Sequence, residues 1–165
     1  MPLFSDRLLL EQVLMAKNEE VLLEALCLLN VTKVIVEYFG EHGVNSDSWI
    51  GFVTVSNRAD DNNVALKLAG SRLVTINLVR SVLKFGDSRA EWIRETVVNS
   101  IDLYSAILKY CDTWLEIEHP RYADDAGGQG TMTISPFTGE FMLSHTNRTW
   151  ILHSIVSTRM SKGGK

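Results

Sequence analysis

Residues 131–145 read Thr-Met-Thr-Ile-Ser-Pro-Phe-Thr-Gly-Glu-Phe-Met-Leu-Ser-His. Thr131 to Ser135 has strand character. Pro136-Phe-Thr-Gly139 is a turn, with the proline presetting φ, and Glu140 to His145 is the returning strand. A ribbon of this kind pairs with its own neighbour and needs a second layer to cover one face, so it decides the fold class.

Working outward, 119–130 (His-Pro-Arg-Tyr-Ala-Asp-Asp-Ala-Gly-Gly-Gln-Gly) carries every turn-forming signal and reads as a loop. Residues 149–158 read as a final strand. Upstream, Ser88 and Glu91 have capping-box spacing. Ile93, Val97, Ile101, Tyr104, Leu108 and Cys111 then recur at steps of three and four, predicting one long helix over 89–113. Val31 to Phe39 is rich in β-branched and aromatic residues, and Ser48 to Ser56 follows after a short Gly-containing break, predicting a hairpin. Asn57 to Asn63 reads as a polar loop, and Val64–Leu68 and Leu73–Ile76 as two short strands around Gly70, with a helical start the other reading of 64–79. Residues 5–29 carry helical spacing, with Asn18 before Glu19 and Glu20 suggesting a cap or bend there, and Asn30 a C-cap. The expected architecture is α+β: a two-layer sandwich, an antiparallel sheet with helices packed on one face, forming a single domain over 1–160 with a basic tail at 161–165.

The chain has 165 residues, a hydrophobic fraction of 45% and a charged fraction of 22%, which excludes wholesale disorder. Sixteen Lys+Arg against twenty Asp+Glu give a formal charge of −4. That argues against a nucleic-acid coat protein. Arg72, Arg80, Lys84 and Arg89 form only a mild basic cluster. Cys27 and Cys111 sit in apolar patterns without metal spacing and read as buried thiols. No signal-peptide core and no membrane-length apolar run is present, so the expected location is cytoplasmic.

Phosphate-loop, nucleophile-elbow and zinc-protease signatures are absent. Gly127-Gly-Gln-Gly130 lacks a lysine and leads into a strand, so it reads as a turn and not a phosphate cradle. Of the four histidines, His42, His119 and His145 lie at loops or strand ends beside polar groups, with Asp124 and Asp125 close to His119 in sequence. Should these converge, histidine and carboxylate ligands suit a divalent metal or acid–base chemistry. His153 lies in an apolar run and reads as an ordinary strand residue. Trp92 and Trp114 bracket the predicted long helix. All four tryptophans, Trp49 and Trp150 included, read as core; exposed, they would be anchors for a partner.

His119-Pro120-x-Tyr122, Asp124-Asp125-x-Gly127-Gly128-x-Gly130, the hairpin, and His145-x-Asn147, together with Tyr38-Phe39-Gly40 upstream, resemble a family of small bacterial, plasmid and phage proteins filed as a domain of unknown function. Tyr122 stands where that family usually has Trp, Ser135 where it has Asp, and 57–86 is longer. The resemblance implies a shared fold and a mobile-element or host-defence setting, and no particular reaction. The candidate binding residues are therefore Tyr38, His42, His119, Tyr122, Asp124, Asp125, His145 and Asn147. The function expected is a non-enzymatic interaction or accessory protein of the immunity or anti-defence type, without a cofactor. It would act through a protein partner or self-association. The alternative is a metal-assisted hydrolase or small-ligand binder built on 119–147, with a divalent metal.

Overall fold

The computed structural model describes residues 4–41, 44–85, 90–119, 127–147 and 153–160. The elements are α1 (Phe4–Leu28), β1 (Val31–Glu41), β2 (Val44–Thr54), α2 (Ala59–Ala69), β3 (Leu73–Phe85), β4 (Ala90–Asp102), α3 (Leu103–Glu118), β5 (Gly128–Ser135), β6 (Glu140–Asn147) and β7 (His153–Met160). Strands β2-β1-β5-β6-β7 form one antiparallel sheet, and β3-β4 a separate two-stranded ribbon. Helices pack against one face of the larger sheet, giving the α+β architecture expected from the paired strands. The predicted tail at 161–165 lies outside the described residues.

Alternation builds the sheet. Val34 and Val36 of β1, Ile50 and Phe52 of β2, Met132 and Ile134 of β5, and Phe141 and Leu143 of β6 are all buried on the same side. They meet Leu22 and Leu26 of α1 and Ala106, Ile107, Tyr110 and Trp114 of α3 in one continuous core. The intervening residues, such as Lys33, Glu37, Trp49 and Met142, are exposed on the opposite face.

The predicted helix over 89–113 is corrected: residues 90–102 are strand β4, and the helix runs over Leu103–Glu118. Ile93, Val97 and Ile101 are spaced by four, which satisfies a period of two as well as one of 3.6, and Thr96, Val97 and Val98 are β-branched. The partly buried positions 93, 95, 97, 99 and 101 against exposed 96, 98 and 100 show that the strand period wins. Ser88 of the expected capping box lies outside the described residues, and Glu91 is in the strand. The helix is instead capped by Asp102, whose side chain accepts from the Ser105 backbone N–H at 2.8 Å. Burial opposes ionisation of this carboxyl, but the backbone donors of Ser105 and Tyr104 hold it below its usual range.

Val64–Leu68 is also corrected, from strand to the body of α2. Ala65, Leu66, Lys67, Leu68 and Ala69 are good helix formers, and Asp60 and Asp61 sit in the first turn, where the helix dipole favours them. Leu73–Ile76 is strand as expected. Gly128–Gly130, read as turn, opens β5.

Asn18 caps nothing, because α1 is continuous. Its side chain is buried in mid-helix and clamps the ribbon: Asn18 Nδ2 donates to Asn77 O and Asn77 N–H donates to Asn18 Oδ1, both at 2.8 Å. Asn30, by contrast, takes the left-handed conformation (φ 55°) of a residue just past a helix end. Both cysteines are free. Cys111 is buried, and burial pushes its thiol far up; Cys27 is half-buried.

One further polar group ties the layers. Glu19 of α1 is buried. Its Oε1 accepts from Tyr110 Oη of α3 at 2.7 Å and from Arg159 Nε of β7 at 2.9 Å. Burial and the neighbouring Glu19 carboxylate push the Tyr110 phenol far up, so it stays a donor. Truncating Glu19 to Ala strands two partners at once and is expected to cost about 3 kcal/mol in urea unfolding. Tyr110→Phe leaves the Glu19–Arg159 pair intact and should cost only about 1 kcal/mol. Equal, small losses would contradict the proposed tie.

Candidate functional site

The registers Tyr38↔Gly130 and Gly130↔His145 place Tyr38, Gly130 and His145 in one row across β1, β5 and β6, on the helix-facing side. Gly130 makes the row possible. A Cβ there would overlap the Ser144 carbonyl oxygen and the Tyr38 hydroxyl. With only hydrogen present, the Tyr38 ring lies across β5 and reaches the strand beyond, an aromatic covering a glycine in the sheet.

The Tyr38 hydroxyl lies 2.9 Å from His145 Nδ1 and 3.3 Å from the Ser144 carbonyl oxygen. One phenol proton serves one acceptor. When it goes to the carbonyl, Nδ1–H of His145 donates to the phenol oxygen. The Tyr38 and His145 rings are nearly parallel (10°, centroids 5.9 Å apart). His119 also stacks on His145, at 4.3 Å and 23°. His119 is held there by the end of α3, where its backbone N–H donates to Leu115 O at 2.8 Å. Along the same helix, Tyr110 packs on Phe141 (5.2 Å) and Trp114 on Tyr110 (6.1 Å), so α3 runs over β6 from core to histidines.

His145 has no exposed surface and His119 is 9% exposed. Among the described residues, His119 Nε2 and Trp114 Nε1 are buried and find no hydrogen-bond partner. Desolvation pulls the His119 imidazole below its ordinary value, and the adjacent His145 adds to this, while Glu118 opposes it. The two imidazoles are poorly placed to share one metal ion. Ring lone pairs lie in the ring planes, and planes tilted by only 23° run almost side by side instead of meeting at one point. Among the described residues, no group of three or more His, Cys, Asp or Glu is placed to hold an ion.

Of the eight candidate residues, Tyr38, His119 and His145 are brought together. Asn147 pairs in register with Gly128 and His153 at the end of β6. His42, Tyr122, Asp124 and Asp125 lie outside the described residues, as does Trp150; His153 begins β7.

The opposite face of the same strands holds a second constellation. An open groove of about 580 Å³ is lined by Glu37, Phe39, Trp49, Gln129, Thr131 and Thr146, among others. Trp49 is 58% exposed, which corrects its expected place in the core. Trp114 is fully buried as expected, and Trp92 lies in β4 rather than at a helix start. Pairing the first hairpin would have found this face, since Glu37 and Trp49 are cross-strand partners and Phe39 follows Glu37 by two.

Two outcomes test the buried row. Gly130→Ala is expected to cost about 2 kcal/mol in urea unfolding, because the overlapped Ser144 oxygen belongs to the backbone and cannot swing aside. Because His119 titrates lower folded than unfolded, the unfolded chain takes up the extra proton just below pH 6.5. Stability is therefore full above that pH, falls as pH is lowered through it, and levels off below the folded-state value. The urea midpoint of wild type should drop more between about pH 7 and 5 than that of His119→Gln. Parallel pH profiles would refute the assignment.

Set against known proteins, the chain matches no family model, no curated protein and no solved structure, which leaves the two faces of this sheet as the ground for a functional reading.

Proposed function

We propose that this chain is a non-enzymatic interaction protein that binds a partner polypeptide on the outer face of its sheet, as an accessory or immunity-type factor of a mobile genetic element. The observation that carries the reading is Trp49. An indole 58% exposed on a strand, with Phe39 beside it at 37%, leaves a large apolar surface in water. Aromatic residues so placed concentrate binding energy when a partner covers them. The exposed side chains across β1, β2, β6 and β7 on this face (Lys33, Glu37, Trp49, Met142, Val156, Thr158) are consistent with a surface left open for another molecule. The helix-facing side supports the same reading from the opposite direction. The His145 ring is fully enclosed, so in this arrangement a substrate has no access to it.

A second reading, a metal-assisted hydrolase or small-ligand binder, draws on one observation: the buried Nε2 of His119, without a hydrogen-bond partner among the described residues, precedes the segment holding Tyr122, Asp124 and Asp125. The near-parallel rings count against it. Elemental analysis of protein purified without chelator separates the readings: bound divalent metal, lost with EDTA together with stability, would favour the second.

For the interaction reading, the test compares wild type and Trp49→Ala by light scattering and by capture from lysate of the source cells. The variant is expected to stay folded, giving up at most about 1 kcal/mol of stability with the ring's cover of its own strand, and to lose its partner or its dimer by about 30-fold or more, the effect of truncating a central tryptophan anchor. A wild-type protein that is strictly monomeric and retains no Trp49-dependent partner would sink it.

A further inference from the structure

The groove has a chemistry more specific than an aromatic patch. The indole of Trp49 lies down on its own strand. A Cβ on Gly51, two residues along on the same face, would meet Trp49 Cη2 at 2.5 Å and Cζ3 at 2.8 Å. The six-membered ring therefore covers the bare glycine, and its other π-face is turned outward. A ring standing away from the sheet would offer an edge; this one offers a flat platform.

Glu37 is the direct cross-strand neighbour of Trp49. Such pairs have Cβ atoms roughly 5 Å apart, so carboxylate and indole are within reach of one small group. Glu37 is exposed and makes no side-chain hydrogen bond or ion pair among the described residues. The other groove residues named above are uncharged, so among the described residues the groove carries a single negative charge. Lys33 shares this face of β1 but is four residues away, roughly 13 Å by strand rise, too far to neutralise Glu37 by contact. Across the floor, Thr131 and Thr146 present hydroxyl acceptors from β5 and β6.

A flat π-surface, an unpaired carboxylate beside it and neutral acceptors beyond are what a planar cation requires. Guanidinium stacks face-on to an indole and presents a fork of N–H donors at its edge to a carboxylate. An ammonium satisfies the charge and leaves the plane unused. A neutral sugar or amide would leave Glu37 without a counter-charge.

We propose that the Trp49–Glu37 groove is a recognition pocket for the guanidinium of an arginine exposed on the partner polypeptide. The pocket deepens the interaction reading given above and rests on it. The chain's formal charge of −4 favours approach of a basic segment.

The experiment titrates ¹⁵N-labelled full-length protein with acetyl-Gly-Arg-Gly-amide, with the same peptide carrying citrulline (the same shape without the charge), with its lysine counterpart and with methyl glucoside. The readout is the Trp49 indole N–H resonance, identified by its loss in Trp49→Ala. Saturable movement is expected with the arginine peptide. Citrulline should bind about tenfold more weakly, lysine should fall between them, and Glu37→Gln should weaken the arginine peptide about tenfold while leaving the unfolding midpoint unchanged. The proposal is overturned if citrulline binds as well as arginine. It is equally overturned if Glu37→Gln has no effect, if the glucoside alone moves the resonance, or if no ligand moves it at tens of millimolar. Self-association driven by this chain's own arginines would show as a concentration-dependent shift of the same resonance without peptide, lost in Glu37→Gln, and would support the pocket. Loss of the arginine response alongside a Trp49-dependent partner would overturn the guanidinium assignment and leave the interaction reading standing.

Discussion

The tie between the two hairpins depends on a missing side chain. Gly130 lies on the central strand, paired on both sides, and any Cβ there would strike the neighbouring carbonyl. Because the position is bare, the Tyr38 ring crosses it and hydrogen-bonds His145 two strands away. His145 in turn offers a flat face to His119, and His119 terminates α3. One absent methyl thus lets a row of aromatic groups link the first hairpin, the second hairpin and the helix that covers them. The hydrogen bond between Tyr38 and His145 satisfies polar atoms that would otherwise be costly to bury.

Elsewhere the layers are tied by polar groups that answer the same requirement. Asn18 supplies a donor and an acceptor to the backbone of β3, in place of a strand partner. Glu19, the next residue, turns to Tyr110 and Arg159. Neighbouring positions on one helix thereby set the placement of the ribbon on one side and of the edge strand β7 on the other. Apolar packing alone tolerates sliding; buried polar groups with specific partners do not.

The sheet serves two purposes at once. Its inner face is occupied by the core and the enclosed histidines. Its outer face, Thr-rich in β5 and flanked by Trp49 and Phe39, meets water. Strand alternation assigns each residue to one purpose, so Tyr38 and Glu37, adjacent in sequence, belong to opposite sides.

Local sequence determined the two hairpins, because turn chemistry at 136–139 and β-branched runs at 31–39 act over a few residues. It also determined the α+β class and the nearness of His145 to a strand end. It could not separate β4 from α3, since residues spaced by four fit both periods, nor place Val64–Leu68, whose apolar run suits strand and helix alike. The pairing of His119 with His145, the crossing of Gly130 by Tyr38 and the exposure of Trp49 were decided by tertiary structure. Each depends on which strand lies beside which and on which face the helices cover, and those choices are made by burial across residues far apart in the chain.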